Sequence, residues 1–219
     1  DVVIWAQSGC DSGYFGCLYR SSPVSIGADD SLQGYLDSGG RLILSGQDIS
    51  TWDDGTAFYD TYLNANTLLE NAATEGDTVT GSGFLESLTL TITNASLYGY
   101  RNGSIALSPD AITADEGAAA TYPILRYAEG QTPAALAIEP CTADYRAVYF
   151  GVGFENIGPR ADNRDPAIAE ALGRSVRWVS AAKPPRSFEL IAEQTLASVE
   201  PGRAATYQLH LINTGQSDL

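Results

Sequence analysis

Nitrogen bases are what this chain most conspicuously lacks. It has one histidine, His210, and one lysine, Lys183, and neither falls within residues 1–180. Acyl transfer by serine or cysteine needs such a side chain beside the nucleophile to take its proton. Ser/His, Cys/His and Ser/Lys machinery are therefore excluded from the first 180 residues. Positive charge is scarce too: 12 Lys and Arg stand against 27 Asp and Glu, a formal net charge of −15. The imbalance is steepest in residues 1–100, where two arginines face 13 acidic side chains. Such a surface repels phosphate backbones and anionic headgroups, so neither nucleic acid nor a membrane surface is expected as a partner. No apolar run approaches the roughly 18 residues that a membrane-spanning helix needs. Methionine is absent, and residue 1 already opens a strand, Asp1-Val2-Val3-Ile4-Trp5. Both observations point to an internal piece of a longer protein.

Cysteine is sparse but suggestively placed. Cys10 and Cys17 lie within SGCDSGYFGCLY, a glycine-rich loop after the first strand. A disulfide between them would contribute roughly 2–3 kcal/mol by restricting the unfolded chain, and it would favour an extracellular setting. Zinc would want more Cys or His ligands nearby, and there are none. Cys141 precedes a late strand and reads as a free, buried thiol.

The remaining 44% hydrophobic content is enough for one sizeable core. Asp1–Gln7, Arg41–Ser45 and Arg146–Gly153 are continuous apolar runs of the kind buried inside a parallel sheet. Ile4, Leu42, Leu44, Val148 and Phe150 are the central-strand residues this reading selects. Helices are expected at Ser31–Ser38, Phe58–Ala73 and Ala167–Val179, the last opened by Asp165-Pro166. Between them, 77–94 alternates like exposed strands or a hairpin, and 123–138 holds short strands at Ile124–Tyr127 and Ala134–Ile138. The fold class expected is α/β: a doubly wound, mostly parallel sheet with a β-rich insertion, spanning residues 1–182. Residues 183–187, KPPRS, form a stiff linker. Residues 188–219 carry two alternating segments that read as the first strands of a β-sandwich cut short.

LQGYLDSGGRLILSGQD followed much later by YFGVGFENI resembles the class I glutamine amidotransferase-like fold, a flavodoxin-like α/β architecture. The closer resemblance is to its non-catalytic versions inside large secreted bacterial proteins, including subtilisin-like serine peptidases. It covers roughly residues 1–180 and rests mostly on structural glycines and strands. Catalytic relatives carry a nucleophilic cysteine in the turn after the LIL strand, where this chain reads Ser45-Gly46-Gln47-Asp48. Where they carry His and Glu after the last strand, this chain has Glu155 and Ile157. The resemblance thus implies the fold without the chemistry. The tail VEPGRAATYQLHLINTG resembles the opening of sandwich repeats of bacterial extracellular proteins, and a parent peptidase is implied by that association alone.

Several side chains compete for a role at the expected strand ends. Asp48, Asp53, Asp54 and Glu155, with Trp52 and Tyr59 nearby, make an acidic and aromatic edge. Oxygen ligands from Asp48, Asp53 and Asp54 suit a structural Ca²⁺, although turn and cap roles account for them as well. No other cofactor is expected. Ser45 reads as a turn residue bonding its own backbone. The pattern Gly151-x-Gly153-x-x-Asn156 lacks the third glycine of a dinucleotide fingerprint. Asn94 and Asn102 head glycosylation sequons that mark loops. Three functions follow. The first is a non-catalytic accessory domain whose partners are the other domains of its parent. The second is a carbohydrate- or peptide-binding module using Trp5, Trp52, Tyr14 and Phe15. The third is a glycosidase built on a pair drawn from Asp48, Asp53 and Glu155.

Overall fold

Arg41–Ser45 (β2), with its side chains almost wholly buried, organises the fold by accepting a neighbour on each side. Val3–Ala6 (β1) and Arg146–Phe150 (β9) both pair with it in parallel. The computed structural model describes residues 1–6, 22–93, 108–115, 121–129, 131–140, 142–158, 166–183, 188–192 and 209–213. Residues 184–192 and 209–213 contribute no side-chain detail, nor does Glu155. The chain divides into two compact units, Asp1–Ala181 and Ala182–Leu219.

Beyond β9 the sheet changes character. Pro133–Ile138 (β8), Thr121–Tyr127 (β7), Thr78–Gly81 (β4) and Thr89–Thr91 (β5) follow in that order, each antiparallel to the last. The seven-stranded sheet is thus mixed and strongly curled, and the expected doubly wound, mostly parallel sheet is wrong. With it falls the resemblance to glutamine amidotransferase-like, flavodoxin-like domains. The reason is connection length. A parallel neighbour needs a crossover of a dozen or more residues, and residues 128–132 and 139–145 are too short to provide one. The strands read as an insertion are instead members of the main sheet.

Alternation along the strands divides the core between two faces. Ile43, Val148 and Phe150 face Pro166–Ser180 (α3), which buries Ala171, Ser175 and Val179 at intervals of one turn. Leu42, Leu44, Ala147 and Tyr149 pack on the other side with Leu32 and Leu36 of Asp29–Asp37 (α1). Asp29 and Asp30 sit in the first turn of α1, where negative charge complements the helix dipole, although neither side chain caps it. The helix ends in a Schellman motif: Gly40 N–H donates to Tyr35 O (3.0 Å) and Gly39 N–H to Leu36 O (2.8 Å). Gly39 takes the left-handed φ of 84° that this ending requires.

Two further expectations fail. β1 is an edge strand, not a central one, and Ile4 is 48% exposed because no strand lies outside it among the described residues. The helix read over 58–73 stops early, as a π-helical turn at Phe58–Leu63. Asn64 then takes a left-handed conformation (φ 47°), which asparagine tolerates better than most residues. The chain leaves as Ala65–Leu69 (β3), antiparallel to Ala111–Ala114 (β6) in a separate two-stranded sheet. In the second unit, Phe188–Ala192 (β10) and Leu209–Asn213 (β11) form an antiparallel pair with His210 opposite Ile191.

Candidate functional site

At the carboxyl end of β2 the chain turns sharply through Gly46 and Gln47 into a five-residue helix, Ile49–Asp53 (α2). Asp48, at its N-cap, holds a left-handed backbone with φ 64°. The end of β9 lies alongside: Gly46 N–H donates to Phe150 O (3.2 Å). Ser45, fully buried, spans the gap. Its hydroxyl donates to Val152 O (3.2 Å) and accepts from Phe154 N–H (3.1 Å). Two strand ends are stitched together by one hydroxyl group.

The centre of the polar network is a residue that sequence reasoning missed. Asp110 is fully buried just before β6, and its Oδ2 accepts from Asp48 N–H (3.0 Å) and from the Ser50 hydroxyl (2.5 Å). Its own backbone is fixed as well: Asp110 N–H donates to Gly151 O (2.8 Å), and the Tyr127 hydroxyl donates to Asp110 O (2.9 Å). A Cβ at Gly151 would stand 2.7 Å from Asp110 O, so only glycine allows this approach. Asp110 Oδ1 has no hydrogen-bond partner among the described residues. Burial pushes its carboxyl up to about 7, and the neighbouring Asp48 charge adds to the rise. Next to it, Gln47 Oε1 accepts from Ser108 N–H (2.9 Å) and Asn156 Nδ2 (2.6 Å). Asp110 stands in a polar segment, Ser108-Pro109-Asp110, and nothing in that composition distinguishes a buried carboxylate from a loop one.

The expected site residues are only partly gathered. Asp53 is buried at the end of α2, where its Oδ2 accepts from Val24 N–H (3.4 Å). Burial raises its pKa, against hydrogen bonds from Ser22 and Val24 that lower it. Asp54 is exposed as the C-cap of α2, and Trp52 is exposed on the helix. Tyr59 is fully buried, packed edge-on against Tyr149 at 5.8 Å, so it belongs to the core. Trp5 is half-buried against the α1-side core. Glu155 lies in a single 3-10 turn, Phe154–Asn156. Among the described residues, no group of three or more His, Cys, Asp or Glu is placed to hold a metal ion, so Asp48, Asp53 and Asp54 do not assemble into one. Cys10, Cys17, Cys141, Tyr14, Phe15, Asn94 and Asn102 lie outside the described residues.

Of two surface cavities, neither is lined by Ser45, Gln47, Asp48, Ser50 or Asp110. One, of about 240 Å³, is lined by Ala72, Asp77, Tyr127 and Glu129. The other, of about 440 Å³, lies at the amino end of β2 between Asp1, Tyr35, Arg41 and Ser180. Through its hydrogen bonds the strand-end network ties the loops after β2 and β9 together. Ser45→Ala tests this directly. It would leave the Phe154 N–H and Val152 O unpaired in the interior and cost about 1–3 kcal/mol in urea unfolding.

No family model matches the chain, and no curated protein does. Among solved structures it is similar to Gan42B, a GH42 beta-galactosidase from G. stearothermophilus, and to a catalytic mutant of that enzyme. In each case the TM-score is 0.44 at 10% identity, over 88% of this chain and 24% of the other. The chain thus spans about a quarter of the length of those structures.

Proposed function

We propose that residues 1–181 form a non-catalytic accessory domain of a larger extracellular protein, spacing or presenting its neighbouring domains. The observation that carries this reading is the state of Ser45. The hydroxyl at the strand end is buried and committed to two backbone partners, and residues 1–180 hold no histidine or lysine to activate it. The full chain is expected to turn over no peptide, ester, glutamine or aryl glycoside substrate above the buffer rate. Ser45→Ala should leave that background unchanged. Turnover that disappears in Ser45→Ala would sink the proposal.

One observation favours a second reading, a carboxylate hydrolase acting on carbohydrate. Asp48 occupies a left-handed strand-to-helix turn, the geometry that presents nucleophiles in many hydrolases. Asp110, which accepts from its N–H, titrates near neutrality. Aryl glycoside hydrolysis abolished by Asp48→Asn would establish this reading in place of the first.

A further inference from the structure

Asp54-Gly55 is the only Asp-Gly step in the chain, and both residues are exposed at the end of α2. Such a step can close on itself, because glycine has no side chain to hinder attack by its amide nitrogen on the preceding carboxyl. The folded chain holds the two reacting groups apart. Ring closure needs the Gly55 nitrogen nearly eclipsed with Asp54 Cβ about the Cα–C bond, and a ψ of 137° at Asp54 turns it well out of line. The peptide is also anchored on both sides. Asp54 N–H donates to Ser50 O (3.0 Å), and Thr56 gives Asp53 O its N–H (3.1 Å) and its hydroxyl (2.5 Å). Between these anchors, the Gly55 N–H donates to Asp60 Oδ1 (3.2 Å), from the π-helical turn at Phe58–Leu63.

That last bond falls on the reacting atom. We propose that Asp54-Gly55 is a site of isoaspartate formation and that Asp60 is the latch that restrains it. In the reaction Gly55 N bonds to Asp54 Cγ, and the carboxyl's hydroxyl leaves with the amide proton as water, closing a succinimide ring. Water then adds to the ring. Breaking the N–Cγ bond restores Asp54, whereas breaking the bond from N to the main-chain carbonyl carbon leaves isoaspartate, with the backbone running through Cβ and Cγ. The Asp60 carboxylate holds the proton that must leave and fixes the peptide's orientation, and its charge opposes the build-up of negative charge on the nitrogen. Isomerisation puts one extra backbone atom between α2 and the turn that carries buried Phe58 and Tyr59. The inference depends on neither reading of the strand-end network.

The test holds the full chain and its Asp60→Ala variant in neutral buffer at body temperature and follows isoaspartate at residue 54 by site-resolving mass spectrometry. Asp60→Ala should accumulate it about three- to tenfold faster than the wild type, the weight of one such hydrogen bond. In denaturing urea the two proteins should react at one rate, faster than the folded wild type. Asp60→Asn keeps an acceptor oxygen without the charge and should fall between them. It carries the comparison alone if far-UV circular dichroism shows that Asp60→Ala has lost structure. Three results would each overturn the proposal. They are equal rates in the folded wild type and the folded variants, a difference between the proteins that survives in urea, and a folded wild type that reacts as fast as the unfolded one.

Discussion

Arg146→Met is expected to destabilise the first unit by about 3–5 kcal/mol. Arg146 opens β9 with its side chain almost fully buried, and its Nε donates to Glu139 Oε1 at 2.8 Å. Its Nη1 donates to Trp178 O (2.8 Å) and Ala181 O (2.9 Å), carbonyls at the carboxyl end of α3 and just past it. The guanidinium also lies 4.9 Å from the centre of the Trp178 ring, which stacks on Phe84. One side chain thus ties sheet, helix and the turn at Gly83–Leu85 together. Removing it takes the buried cation from Glu139 and one donor from each of two carbonyls. Much of the cost belongs to the buried carboxylate that loses its countercharge, so Arg146→Met combined with Glu139→Gln should recover more than half of it. Urea unfolding of the two variants beside wild type decides the matter. A loss below about 1 kcal/mol for Arg146→Met would show that the clamp contributes little.

What the sequence made legible follows from periodicity. Leu42, Ile43 and Leu44 could be read as a buried strand, and Ser31–Ser38 as a helix stopped at Gly39-Gly40, within two residues of the observed Asp29–Asp37, because apolar spacing and chain-stopping residues act locally. Strand direction was not local. Ala134–Ile138 looks the same in sequence whether it runs parallel or antiparallel to β9, and only the short connection at 139–145 decides it. The run at 58–73 has helical spacing, yet tertiary pairing with β6 turned its second half into β3. At the candidate site, Asp48 and Asp53 were visible as acids near a turn; Asp48 meets Asp110 through its backbone N–H, and Asp53 accepts from Val24 N–H. Asp110 was not visible. Its burial depends on Asp48 and Ser50, Tyr127 and the glycine at 151 arriving together from distant parts of the chain.

Stability of the first unit is expected to fall as pH rises from about 4 to about 7, and Asp110 is the main cause. Its carboxyl ordinarily titrates at 3.8, and burial in the folded chain pushes it up to about 7. Between those values the folded form holds a proton that the unfolded form has released. The contribution is fully present below the unfolded value and is lost as pH climbs through the folded one. At 1.36 kcal/mol per unit, a shift of about three units amounts to a loss on the order of 4 kcal/mol. Asp53, also raised by burial, acts in the same direction. The charged Asp110 keeps its bonds from Asp48 and Ser50, but among the described residues its Oδ1 lacks a donor and Asp48 and Glu70 add to the cost of its charge. Asp110→Asn retains a side-chain oxygen for those two donors and cannot ionise. The variant should therefore gain on wild type as pH rises, by about 2–4 kcal/mol between pH 5 and pH 8. The difference between the two proteins, measured by urea unfolding at each pH, cancels the general repulsion of a chain with a net charge of −15. Parallel profiles would mean that Asp110 ionises in the folded chain as easily as in the unfolded one, and that its buried setting carries no electrostatic penalty.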